Sequence, residues 1–194
     1  MLEGRNYTII IDKSGSMATR DQAGGKSRWT AIQESTLAIA AKCDELDPDG
    51  ITVYTFANRF KRYDHVNAQK VEQIFKENEP MGGTNLTAVL QDAFNHHFQN
   101  GKPETIVVIT DGEPDDRKSV FQVIIQATQK MTSEEELGIS FIQIGNDPQA
   151  TQFLKALDEQ LQGVGAKFDI VDTVTFEDME NMTLQEVLMS AIFD

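Results

Sequence analysis

Five short apolar runs rich in β-branched residues recur along this chain, with longer helical patterns between them. The runs are Tyr7 to Ile11, Ile51 to Phe56, Thr105 to Thr110, Ile139 to Ile144 and Phe168 to Val171. Runs that short and that uniformly apolar are expected of strands buried on both faces, as in a parallel sheet covered by helices. Helical periodicity falls at about Thr30 to Leu46, Val71 to Glu77, Leu86 to Phe98, Arg117 to Met131, Gln149 to Leu161 and Thr183 to Phe193. A more polar run, Arg59 to Tyr63, follows the second strand with no helix between and is expected as an antiparallel edge hairpin. The alternation implies right-handed crossovers, and so a doubly wound α/β fold whose six-stranded sheet is mostly parallel with one antiparallel edge.

Two of these runs end in an acid. The first continues Ile9-Ile10-Ile11-Asp12-Lys13-Ser14-Gly15-Ser16-Met17, so that hard oxygens from Asp12, Ser14 and Ser16 recur every second residue in a turn that Gly15 is expected to permit. The other ends Thr110-Asp111-Gly112-Glu113-Pro114. Between them, Met81-Gly82-Gly83-Thr84 presents a threonine just before a helical pattern, where it is either a ligand or a helix cap. Asp, Ser and Gly also crowd ordinary turns. Ligands of open α/β sheets, however, bind where strands end.

Taken together, Asp12-x-Ser14-x-Ser16, Thr84 after its glycine pair and Asp111-Gly112 resemble the metal-ion-dependent adhesion site of the von Willebrand factor A domain family. The Ser16-Met17 ending and the Thr110 to Pro114 segment are similar to its bacterial and intracellular branch. The resemblance implies a Rossmann-like sheet with strand order three-two-one-four-five-six, which makes the strands ending at Asp12 and Asp111 neighbours. It also implies that the two serines, and Thr84 once a ligand is bound, coordinate the metal, while at least one aspartate acts through water. Magnesium suits so small an oxygen set; manganese also fits, and calcium would want more oxygens. Asp12 and Asp111 formally cancel a divalent ion, yet partly withdrawn carboxylates leave it positive towards an open position. A carboxylate of a protein partner, Asp or Glu, is the group expected there.

The 194 residues, 40% of them apolar, suffice for a substantial core, and no linker or composition shift divides them, so 1–194 is read as a single domain. No window approaches the roughly 18 uninterrupted apolar residues of a membrane span, and Met1 to Asn6 has no apolar leader core. A single cysteine, Cys43, falls in a helical pattern as a buried thiol, which suits a reducing compartment; the expected place is the cytoplasm. The formal charge of −14 repels nucleic-acid phosphates and anionic membranes, so neither is expected as a partner.

Other chemistries fit less well. Ile-Ile-Asp12 also opens haloacid-dehalogenase phosphatases, but the general acid required two residues later is here Ser14, which cannot shuttle the proton. Gly25-Lys26-Ser27 is similar to the end of a phosphate-binding loop, yet Arg20 stands where its first glycine belongs. The 18–28 loop lies beside the proposed metal; it is either a solvated loop or a source of specificity through Arg20, Lys26 or Arg28. Adjacent residues of a helix point about 100° apart, so His96 and His97 are expected as surface and cap-region side chains, not chelators. Trp29 is either core or rim. No nucleophile is paired with a base, so no enzyme is expected. The expected function is a metal-dependent protein-interaction module in a multi-protein assembly. A metal-dependent hydrolase or phosphatase is the alternative, as is a metal-stabilised structural or calcium-buffer protein.

Overall fold

The computed structural model describes residues 4–46, 49–179 and 181–193. Met1 to Glu3, read above for a leader, lie outside them. Strands β1 (Asn6–Asp12), β2 (Ile51–Phe56), β3 (Phe60–Val66), β4 (Glu104–Thr110), β5 (Leu137–Gln143) and β6 (Val171–Val174) form one sheet in the order β3-β2-β1-β4-β5-β6. Only the β2–β3 pair is antiparallel. The order reverses at β1 and β4, the point where doubly wound sheets open a crevice at their carboxyl ends.

Helices α1 (Arg28–Leu46), α2 (Ala68–Glu77), α3 (Leu86–Asn100), α4 (Arg117–Lys130), α5 (Pro148–Gln160) and α6 (Leu184–Phe193) cover the two faces. Alternating side chains of the central strands feed two separate cores. Ile10, Ile106 and Val108 join Leu90, Phe94, Ile124 and Phe153 from α3, α4 and α5. On the other face, Ile9, Ile11, Val107 and Ile109 meet Ile32, Ile39, Ile74 and Leu188 from α1, α2 and α6. Each fully buried residue of this kind contributes about 1.5–3 kcal/mol. The uninterrupted isoleucine and valine runs are thus what a two-sided sheet requires.

Helix α2 begins at Ala68, before the expected Val71, and β5 at Leu137, before the expected Ile139; the two outer strands shift as well. The last strand begins at Val171, not Phe168. Phe168 instead packs half-buried against the α3–α5 core, and Ile170, buried in that core, accepts at its carbonyl from the Ile139 N–H at 2.8 Å. The edge strand β3 extends three residues past Tyr63 to Val66, whose side chain is fully buried beside α2. No helix among the described residues is long and apolar enough to cross a membrane.

Candidate functional site

The parallel register pairs Ile11 with Ile109 and, one residue on, brings Asp12 beside Thr110. The Thr110 hydroxyl donates to Asp12 Oδ2 at 2.8 Å, and the Ser14 N–H donates to Asp12 Oδ1 at 2.7 Å. After Ser14 the chain makes a single tight turn, Gly15–Ala18, anchored by the fully buried Met17. That turn sets the Ser14 and Ser16 hydroxyls 3.1 Å apart, and Ser16 donates to Asp111 Oδ1 at 2.9 Å. Asp12, Ser14, Ser16 and Asp111 therefore stand in one connected set, with both carboxylates buried. Gly15 itself has no left-handed backbone and open space where a Cβ would stand, so the turn does not depend on it as the sequence suggested.

Thr84 is brought in by its backbone. The Lys13 N–H donates to the Phe56 carbonyl at the end of β2, while Met81 N–H donates to Lys13 and Gly15 N–H to Gly82, so the first loop is laced to the threonine loop at 2.8 and 3.2 Å. Thr84 N–H donates to Asp115 Oδ1 at 3.1 Å, and Asp115 N–H returns a bond to the Thr84 carbonyl at 2.9 Å. Of the glycine pair, Gly82 is required by its left-handed backbone. A Cβ on Gly82, at φ +87°, would lie 2.3 Å from Asn58 Oδ1, and one on Gly83 would crowd Asn58 and Asp115. Capping of α3 falls to Asn85, whose side chain accepts from Ala88 N–H at 3.2 Å. Thr84 is thus not the cap, and its hydroxyl enters no hydrogen bond among the described residues.

The electrostatics of the crevice are those of crowded anions. Burial, and then the charge of Asp111, push the Asp12 carboxyl up to about 6, against the hydrogen bonds from Ser14 and Thr110. A donor set made only of hydroxyl and carboxylate oxygens, with a buried carboxylate short of positive charge, fits a hard divalent cation. One positive group already reaches the set: Arg28 Nη1 donates to Asp111 Oδ2 at 2.8 Å, while its Nη2 and Nε donate to Asp21 at 2.6 and 3.1 Å.

Thr110 and Asp115 were not among the residues singled out from sequence. Thr110 ends an apolar run directly before Asp111, and Asp115 stands in an acidic cluster that reads as a solvated loop. Other positions resolve plainly. Ser27 accepts from Thr30 N–H at the start of α1 and Lys26 pairs with Glu34, so Gly25-Lys26-Ser27 is the loop before a helix. Trp29 is core, tilted 4.6 Å from the Phe75 ring. His97 is not at the surface: it is 3% exposed, against the Phe98 ring and 4.0 Å from Glu104, because α3 turns it inward beside β4. Cys43 is buried, as expected.

A doubly wound sheet with this antiparallel edge, and with serine, threonine and aspartate loops meeting over its central strands, defines the class of von Willebrand A-like folds. The family model described as the von Willebrand factor type A domain matches residues 7–113, and the chain belongs to that family. Among solved structures, the SpRpn10 VWA domain is similar at a TM-score of 0.65 and 14% identity, over 96% of this chain and 94% of that one. The PilB minor pilin from Streptococcus sanguinis is similar at 0.66 and 15%, over 95% of this chain but 60% of the pilin. The pilus adhesin SpaC from Lactobacillus rhamnosus GG is similar at 0.60 and 13%, over 87% of this chain and 28% of the adhesin. No curated protein sequence matches the chain.

Proposed function

We propose that this chain is a metal-dependent protein-interaction module. Asp12, Ser14, Ser16, Thr84 and Asp111 would hold a divalent cation, magnesium in the first instance and manganese or calcium as substitutes. When bound, the ion supplies a local positive charge at an open coordination position, to which a partner's Asp or Glu side chain can bind. The observation that carries this reading is Thr84. Its backbone is fastened on both sides, its capping role is taken by Asn85, and among the described residues its hydroxyl enters no hydrogen bond, on a loop laced to the one that carries Ser14 and Ser16.

The same geometry speaks for binding and not catalysis. The chain's three histidines, the commonest general bases, lie elsewhere: His65 on β3, His96 and His97 on α3. Two proteins of similar fold are described as a minor pilin and a pilus adhesin, in keeping with a binding role. The net charge of −14 argues for a protein partner over nucleic acid or an anionic membrane. The lone buried thiol is compatible with the cytoplasm.

Isothermal titration with magnesium and manganese tests the site. Asp12→Ala removes charge and the Ser14 anchor together and should abolish binding, whereas Ser14→Ala or Ser16→Ala removes one neutral oxygen and should weaken it. Wild-type affinity in Asp12→Ala would place any bound metal elsewhere.

A further inference from the structure

Among the described residues, Arg28 is the one cation that touches the carboxylates of the candidate site, and three separate elements hold it there. It lies in the first turn of α1, where the helix dipole opposes a positive charge, so helix formation does not account for it. Its side chain is 11% exposed and bridges Asp21, on the loop before the helix, to Asp111 at the end of β4. Past the end of β5, Gly145 sits at φ +80°, and a Cβ there would stand 2.6 Å from Arg28 Cζ, so the guanidinium is seated against bare backbone.

The arrangement divides the oxygens of Asp111. Oδ1 accepts from Ser16, on the side of the serine and threonine hydroxyls, and Oδ2 is taken by Arg28. Without Arg28, ionised Asp12 and Asp111 would formally cancel a divalent ion, and only their partial withdrawal would leave it attraction for an incoming carboxylate. With it, the buried groups sum to one negative charge, and a bound divalent ion retains a net positive one. Asp21 does not undo this, because its side chain is 34% exposed and solvent screens its charge, whereas that of Asp111 is 1% exposed.

We propose that Arg28 is a built-in counter-cation of this site, which weakens its hold on the metal and in return strengthens its hold on a partner's carboxylate. The inference rests on the metal-site reading above. It assigns a function to the 18–28 loop: through Asp21, the loop sets how firmly Arg28 bears on Asp111.

The test is a pair of titrations: manganese alone, by calorimetry, and then acetate into the manganese-saturated protein, followed by the water-proton relaxation of the bound ion. Arg28→Met should bind manganese about tenfold more tightly and acetate about tenfold more weakly, since one unit charge beside the site is changed. Arg28→Lys keeps the charge and should stay within about threefold of wild type in both. Asp21→Asn, at a half-exposed position with little effect on folding, should weaken manganese binding, the opposite direction. If Arg28→Met weakens both affinities or neither changes while wild type binds manganese, Arg28 is a structural clamp and the proposal fails alone. If wild type binds no manganese, the proposal falls together with the site.

Discussion

Thr110→Val isolates the contact that orients Asp12. Valine has nearly the shape of threonine and suits the central strand β4, so the substitution opens no cavity and breaks no ladder bond. It removes the hydroxyl that donates to Asp12 Oδ2 at 2.8 Å, between two residues with at most 1% exposure. A hydrogen bond to a charged group is worth about 1.5–3 kcal/mol, and leaving its acceptor buried and unpaired forfeits that amount. Exchanging hydroxyl for methyl returns up to about 0.8 kcal/mol of apolar burial, so the net cost should be about 1–2 kcal/mol. For a chain of this length that lowers the melting temperature by about 2–8 °C. Urea titration at pH 7 in chelator should show a lower midpoint with an unchanged slope. The control is the same substitution in an Asp12→Ala background, where only the long 3.4 Å bond from the Thr110 hydroxyl to the Gly112 carbonyl remains and Thr110→Val should cost less than about 0.5 kcal/mol. An equal cost in both backgrounds would show that the lost stability has another source, and the picture of Asp12 as a carboxylate set by Thr110 would be wrong.

Two glycines of neighbouring loops should behave oppositely. Gly82→Ala forces a left-handed backbone and a clash with Asn58, and should cost more than about 1 kcal/mol, whereas Gly15→Ala should stay within about 0.5 kcal/mol in the same denaturation assay. At the far end of β4, burial pushes the Glu104 carboxyl up from 4.5 to about 7, opposed by the Thr8 hydroxyl and the charge of Arg5. Folding therefore favours its protonated form. The contribution is fully present below about pH 4.5 and is lost as pH rises through about 7, by roughly 2–3 kcal/mol. Glu104→Gln should flatten the fall in stability between pH 5 and 8; an unchanged pH profile would show that Glu104 does not cause it. Chelation should leave the far-ultraviolet circular dichroism intact, because the site lies on loops over a closed core. Adding metal at a hundred times its dissociation constant should raise stability by only about 2.7 kcal/mol. Unfolding on chelation would contradict that separation of site and core.

Much of this molecule is legible in its sequence where burial is two-sided. Ile51–Phe56 coincides with its apolar run, and β1 and β4 extend theirs by a residue or two. Legibility fails at edges. Phe168 is apolar because it packs, not because it pairs, while Asp172 and Thr173 do belong to a strand, with Thr173 bound to Asp158. Within the site, spacing identifies Asp12, Ser14 and Ser16, since their geometry is local. Asp115 is a long-range partner, 31 residues from Thr84, and no local pattern marks it; Arg28 is named with Arg20 and Lys26 in the 18–28 loop, but its pairing with Asp111, 83 residues on, is not local. His97 misleads for a related reason: beside His96 it reads as a polar helix end, yet α3 has already turned it towards β4.

In the proposed mode of binding, a partner's carboxylate is held through a metal carried by these loops. The most direct measurement is a pull-down from native cell extract with wild-type and Thr84→Ala baits, each in magnesium and again in chelator, followed by surface plasmon resonance of any captured protein before and after its acidic residues are changed to Ala. A partner should be held by the wild type in magnesium only. It should be lost in chelator, lost with Thr84→Ala although that variant still binds metal, and lost when its own critical Asp or Glu is removed. Partner affinity indifferent to metal, to Thr84 and to every acidic residue of the partner would rule out metal-bridged binding and leave a scaffold whose binding surface lies elsewhere.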